Sequence, residues 1–330
     1  MTSAWLELGL FAAKSLMVVA VVLLILMGFF ALLSKGKEKV KGRLVIKYLN
    51  KKYAEMAETI LAETLPKKQF KQFLKKQKAA EKAKQKNTEK QKTVYVLQFN
   101  GDIKASTVSN LSEEITAVLQ TATPEDEVVL KLESAGGVVH GYGLAAAQLM
   151  RLRAQHIPLT ITVDKIAASG GYLMACVANK ILAAPFAIIG SIGVIVQLPN
   201  FHRVLKEKHI DFEQLTAGEF KRTLTVFGEN TPEGREKLHE ELETIHHLFK
   251  NIITTHRPQV DIAKVATGEI WPGQQALSLK LADELKISDD YLFELSKHAN
   301  LYEICYQVKK SFFSKFSTLT MGLREKFPWL

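Results

Sequence analysis

PLTITVDKIAASGGYLMACVANKILAAP, residues 158–185, decides the fold. Its first part, PLTITVD (158–164), is rich in β-branched residues and reads as a strand. Small residues then crowd a turn, and Ser169 is followed by Gly170 and Gly171. The chain continues as a helix to residue 179, and KILAAP (180–185) reads as the next strand. Strand, tight turn, helix and strand make a parallel unit, which points to an α/β fold. Such folds gather their sites at turns beyond the carboxyl ends of the strands. Ser169 stands at such a turn. The N–H of Gly170, at the helix start, has no acceptor within the helix and can hold a developing oxyanion. A serine here is also an ordinary helix cap.

The flanking sequence repeats the pattern. TVYVLQFNG (93–101) reads as a strand, SNLSEEITAVLQTA (109–122) as an amphipathic helix, EVVLKLESAGG (127–137) as a strand running into a turn, and GYGLAAAQLMRLRAQ (141–155) as a helix. The turn Ser134-Ala135-Gly136-Gly137 again offers two glycines, which allow a substrate backbone to approach and leave N–H groups unpaired. Two such turns on neighbouring parallel strands would face each other. A nucleophilic serine needs a base. No histidine stands in an evident arrangement with a carboxylate, and a lysine is the other option, since its neutral amine accepts a proton when burial suppresses the charge. Lys221, in TAGEFKRTLTVFGENTPEGRE (216–236), has Phe220 and Leu224 beside it. Spacing alone does not single it out among 24 basic residues of the body.

Of 330 residues, 47% are hydrophobic and 24% charged, which excludes wholesale disorder. Two cysteines, Cys176 and Cys305, exclude a disulfide scaffold. The net charge of +10 is local: residues 35–92 hold 19 Lys/Arg against 6 Glu, whereas residues 93–330 hold 24 basic against 27 acidic residues. The body therefore has no excess with which to attract phosphates, and no nucleic-acid partner is expected. Residues 1–34 read as an uncleaved transmembrane anchor, because Ser15 to Leu33 carry no charge over a length that spans a bilayer. Residues 35–92 read as a basic, low-complexity, partly helical stalk, dispensable for chemistry. The body is expected from 93 to about 300, and 301–330 as a basic amphipathic tail that docks on a partner subunit, a membrane or its own body. Ile181 to Asn200 are also uncharged, but Pro185, Gly190, Gly193 and Pro199 punctuate them, so they read as short buried strands.

DKIAASGGYLMACVANKILAAPFAIIGSIGVIVQLPNF (164–201) followed by TAGEFKRTLTVFGENTPEGREK resembles the signal peptide peptidase family of serine–lysine peptidases, and within it the SohB-type inner-membrane proteases. The resemblance implies a Clp protease/crotonase-like α/β domain behind an N-terminal transmembrane helix. It implies Ser169 as nucleophile, Lys221 as general base, Ser191 as the residue orienting that base, and Gly137 and Gly170 as oxyanion-hole donors, with Gly136 in the turn. Ala135 departs from the Pro that the family usually carries there. The implied substrates are peptides, remnant signal peptides or unfolded segments at the membrane, with no cofactor or metal and with assembly into a homo-oligomeric ring. The family implies a periplasmic body, whereas the basic cluster KGKEKVKGR (35–43) favours a cytoplasmic one. Two rivals are an acyl-CoA enzyme on the same fold, which needs no nucleophilic serine, and a non-catalytic membrane scaffold.

Overall fold

The computed structural model describes residues 2–35, 42–86 and 91–308. The tail beyond 308 and most of the 35–43 cluster lie outside the described residues. Two compact units divide the chain, Met1–Arg43 with Gln307–Leu330, and Leu44–Tyr306. In the first unit, α1 (Thr2–Lys35) is a continuous helix. Its stretch Gly9–Phe29 is long and apolar enough to cross a membrane.

The second unit takes up β1 (Arg43–Tyr48) from its second residue and continues with α2 (Leu49–Thr64) and α3 (Lys67–Lys86). The alternating body comes next: β2 (Thr93–Gly101), α4 (Val108–Leu119), β3 (Glu127–Ser134), α5 (Val139–Ala154), β4 (Leu159–Val163), β5 (Ile166–Ala168), α6 (Gly170–Ala175), β6 (Lys180–Ala183) and β7 (Ile188–Gly190). Then come α7 (His202–Glu207), α8 (Pro232–His256), α9 (Ile262–Val265), β8 (Ile270–Pro272), α10 (Gly273–Ser278), β9 (Glu284–Leu285), α11 (Ser288–Leu295) and β10 (Asn300–Gln307). The uncharged run 181–200 thus forms two short strands and irregular chain, not a second helix.

The sheet runs in the order β1-β10-β2-β3-β4-β6-β9, with β5, β7 and β8 branching from it. Pairing from β10 through β9 is parallel. β3 and β4 are almost wholly buried, as strands covered on both faces are. One face packs α4, α5, α6 and α8 through Leu111, Ile115, Val118, Leu149, Leu152, Met174, Phe249 and Ile253. The spacing of Leu111, Ile115 and Val118 is that of one helical stripe. The other face packs Leu49, Leu292 and Leu295 on Val94, Val96 and Val129.

This second cluster corrects the expected stalk. Leu49 is buried in it, and Asn50 donates to the Ser296 and Ala299 carbonyls and accepts from Leu301 N–H. β1 lies along β10, with Lys47 paired to Glu303 and Tyr48 stacked on Tyr302. Residues 44–64 are therefore part of the body, because their apolar positions fill a sheet face that would otherwise meet water. Two buried ionic knots tie the far side. Arg257 is paired at both nitrogens with Asp283, at 2.7 and 2.8 Å, and donates to the Lys280 carbonyl. Glu127 accepts from Lys92, Thr160 and Tyr291.

Two branchings of the sheet set where its strands end. β3 pairs with β4 over Val128–Lys131 and with β5 only at its tip, Ser134 opposite Ala167. β5 then pairs with β7, Ala168 opposite Gly190, and β7 runs antiparallel to β8. The small group β5-β7-β8 thus continues the strands past their carboxyl ends.

Candidate active site

Ser169 is the first residue past β5 and Ser191 the first past β7. Since Ala168 and Gly190 are register partners, and neighbouring strands lie about 4.8 Å apart, the two serines leave the sheet side by side. Both do so with positive φ, 50° at Ser169 and 52° at Ser191. Ser169 has ψ −120°, outside the left-handed helical well. Such a backbone costs roughly 1–3 kcal/mol and persists only where its surroundings dictate it. Here they do: Ser169 N–H donates to the Gly190 carbonyl at 2.8 Å, and its carbonyl accepts from Leu173 at 2.9 Å. Ser191 N–H donates to the Glu269 carbonyl at 2.6 Å. Both serine side chains are half-buried rather than sealed.

The two glycine turns meet at Ser169. Gly136 has φ 88°, and a Cβ on it would stand 2.6 Å from Gly170 N and 2.8 Å from Ser169 Cβ. Gly136 N–H donates to Ser134 Oγ at 3.1 Å and so is spent within the turn. Gly137 backs onto the Ile103 carbonyl, which a side chain there would strike. Among the described hydrogen bonds the Gly137 N–H has no acceptor, and Gly170 opens α6, where the first N–H groups lack intrahelical acceptors. The 136–137 turn and the start of α6 thus meet at Ser169.

Lys221 is placed differently from the rest. It is exposed, in a turn closed by its own N–H on the Gly218 carbonyl at 3.2 Å. Phe220, expected to shield it, is itself half exposed and lies under Lys237 at 5.4 Å. The physical reason lies in residues 191–231, which build only α7. They fold on themselves through Asn200 bonds to Thr225 and Gly228, Phe201 N–H on the Val226 carbonyl, and packing of Phe201 and Phe212 on Phe227. The structure brings together the 134–137 turn, Ser169, Gly170 and Ser191, and leaves Lys221 in solvent.

Other groups near the site have settled roles. Burial pushes the Cys176 thiol up to about 12, so it is a neutral core side chain and no rival nucleophile. Among the described residues no cluster of His, Cys, Asp or Glu is arranged for a metal. Sequence reasoning missed Tyr142. Its ring fills the space where a Gly170 side chain would be, and its hydroxyl donates to the Asp102 carbonyl at 2.7 Å and contacts Ser134 Oγ. Nothing local marks it, because its partners are 8 and 40 residues away in sequence.

Comparison with known proteins identifies the family. "Peptidase family S49 N-terminal" matches residues 4–149 and "Peptidase family S49" matches residues 151–302. The Haemophilus influenzae protein described as "Probable protease SohB" is 47% identical over 320 residues, covering 93% of this chain and 90% of its own length. A protein of the same description from Buchnera aphidicola subsp. Schizaphis graminum is 44% identical over 94% of this chain and 92% of its own. Among solved structures, a ClpP1 mutant from Listeria monocytogenes aligns over 60% of this chain and 94% of its own, with 14% identity and a TM-score of 0.41. With both family descriptions spanning the α/β body and full-length relatives above 40% identity, the chain belongs to peptidase family S49 and is a serine peptidase.

Proposed function

We propose that the chain is a membrane-anchored endopeptidase in which Ser169 attacks the peptide carbonyl and Lys221 is its general base. The observation that carries this reading is the Ser169 backbone, held off the common wells at a strand end between two glycine turns. As Ser169 Oγ bonds to the carbonyl carbon, the neutral Lys221 amine takes its proton, and the N–H groups of Gly137 and Gly170 receive the oxyanion. The Lys221 ammonium then gives the proton to the leaving amine, and the amine next activates the water that releases the acyl chain. The Ser191 hydroxyl, one strand over, orients the amine.

For this the segment 191–231 must deliver Lys221 to the strand ends. Its exposed apolar side chains support such a rearrangement: Ile195 and Leu215 are largely exposed in a single chain, and Phe212 and Phe220 are partly so. A homo-oligomeric ring would bury them against neighbouring copies. Substrates are peptides, remnant signal peptides or unfolded segments at the inner membrane, reached through the anchor Gly9–Phe29.

The test is hydrolysis of an unfolded polypeptide by full-length protein in detergent. Ser169→Ala and Lys221→Arg should each lose turnover, because the first lacks the nucleophile and a guanidinium cannot act as base. Wild-type rates in Lys221→Arg would remove the dyad. Activity surviving Ser169→Ala would favour an enzyme of the acyl-CoA type on the same fold. A phosphatase fused after Leu330 reports the side of the membrane.

A further inference from the structure

We propose that Tyr142 is a positioning residue of the oxyanion hole, acting through the Ser134 hydroxyl on the peptide that carries the Gly137 N–H. This rests on the reading of Ser169 as nucleophile. A phenol has one proton to donate, and that of Tyr142 goes to the Asp102 carbonyl at 2.7 Å. The contact between Tyr142 and Ser134 must then be made by the serine proton, which leaves Ser134 Oγ as the acceptor for Gly136 N–H at 3.1 Å. The direction of the whole relay is fixed: Gly136 N–H to Ser134, Ser134 to Tyr142, Tyr142 to the carbonyl of residue 102.

The relay ends on a rigid post. Asp102 sits at the mouth of the β2–α4 loop, and its carboxylate accepts both the N–H and the hydroxyl of Ser106 at 2.8 Å. Val138 N–H is bonded to the Ile103 carbonyl of the same loop at 2.8 Å. The peptide between Gly136 and Gly137 is thereby held from both sides, by Ser134 before it and by residue 103 after it. Tyr142 and Ser134 are fully buried, so water does not compete for these bonds. The same phenol ring backs Gly170, so one side chain sets the relative position of both donor amides. Burial also raises Tyr142 above the ordinary phenol range, which keeps the proton that the relay needs.

The experiment uses the full-length protein and compares Tyr142→Phe, Ser134→Ala and the double variant. Phenylalanine keeps the ring against Gly170 and removes only the relay. We expect kcat to fall about 10- to 100-fold in each single variant, below the effect of deleting a donor outright, with KM changed by less than about twofold. A peptide aldehyde, whose adduct with the serine carries the same developing oxygen, should bind more weakly by the factor lost in kcat/KM. The double variant should be no worse than either single one, because both break one relay. A merely structural role would lower the melting temperature and leave kcat and aldehyde affinity alone. That outcome, or losses that multiply in the double variant, would overturn the proposal. Should Tyr142→Phe fail to fold, Ser134→Ala carries the same test. Wild-type activity in Ser169→Ala would instead sink the nucleophile reading on which this rests.

Discussion

Replacing Gly136 by alanine loads the contact between the two glycine turns. At φ 88° an L-residue pays about 1–2 kcal/mol for its backbone alone. The new Cβ would also stand 2.6 Å from Gly170 N and 2.8 Å from the Ala168 carbonyl and Ser169 Cβ. Ordinary heavy-atom contacts lie at about 3.5–4 Å, so something must move, and none of these three atoms is the far end of a flexible side chain. Overpacking of this kind costs about 1–3 kcal/mol. Stability should therefore fall by about 2–5 kcal/mol. Two of the three atoms belong to Ser169 and Gly170, and misplacement by about 1 Å costs on the order of 100-fold in rate. Urea denaturation followed by tryptophan fluorescence reads the first effect, and labelling by a serine-directed fluorophosphonate with hydrolysis of an unfolded substrate reads the second. Gly143→Ala is the internal control. Gly143 lies on α5 with nothing within 4 Å of its Cβ position, so alanine there should be neutral or stabilise by up to about 1 kcal/mol. If Gly136→Ala matches wild type in both assays, the turns do not press on each other and the site geometry is wrong.

Burial raises the Glu114 carboxyl from 4.5 to about 7, although it accepts from Tyr306 N–H at 2.7 Å. The folded state then holds a proton that the unfolded state has released, so this contribution is full below about pH 4.5 and is lost as pH rises through 7. Glu114→Gln should gain about 1–3 kcal/mol over wild type at pH 8 and little at pH 5; equal pH slopes in denaturation would refute this. Asp283→Asn leaves the Arg257 guanidinium buried without its counter-ion and should cost about 3–5 kcal/mol in the same assay; a loss below about 1 kcal/mol would show that water replaces it. Deleting residues 1–42 should leave the body's melting temperature unchanged, whereas deleting residues 1–92 removes buried Leu49 and the three Asn50 bonds and should lower it by many degrees. Equal melting temperatures for the two truncations would return residues 44–64 to the role of a spacer.

What the sequence made legible was local. β2 covers Thr93–Gly101, the stretch its β-branched and aromatic residues mark, and α4 and α5 fall within a few residues of their apolar stripes. Ser169 and the two glycine turns were readable because tight turns need particular residue types. The N-terminal part of the body was not, because RLVIKY gains its meaning as a strand only beside β10, some 250 residues on. Its lysines look like a solvated spacer until Leu49 and Tyr53 meet the sheet. Tyr142 was illegible for the same reason, its three contacts being made across the fold. Lys221 shows the opposite limit. Apolar neighbours in sequence suggested burial, but Phe220 and Leu224 do not close over it, because residues 191–231 pack on their own aromatic cluster.

β1 also has a protective role that its length conceals. Among the described residues it is the outermost strand on its side of the sheet, and it is short and carries the exposed Arg43 and Lys47, charges that discourage another strand from pairing there. At the opposite limit β9 is two residues long and β8 three, too short to template anything. Strip β1 away and the new border is β10, NLYEICYQ, eight residues of which half are aromatic or aliphatic and one is an acid. Its hydrogen-bonding groups would then face water in a row, the arrangement that recruits further chains into aggregates. The strand that begins the globular part of the chain is thus also what keeps the last strand from becoming adhesive.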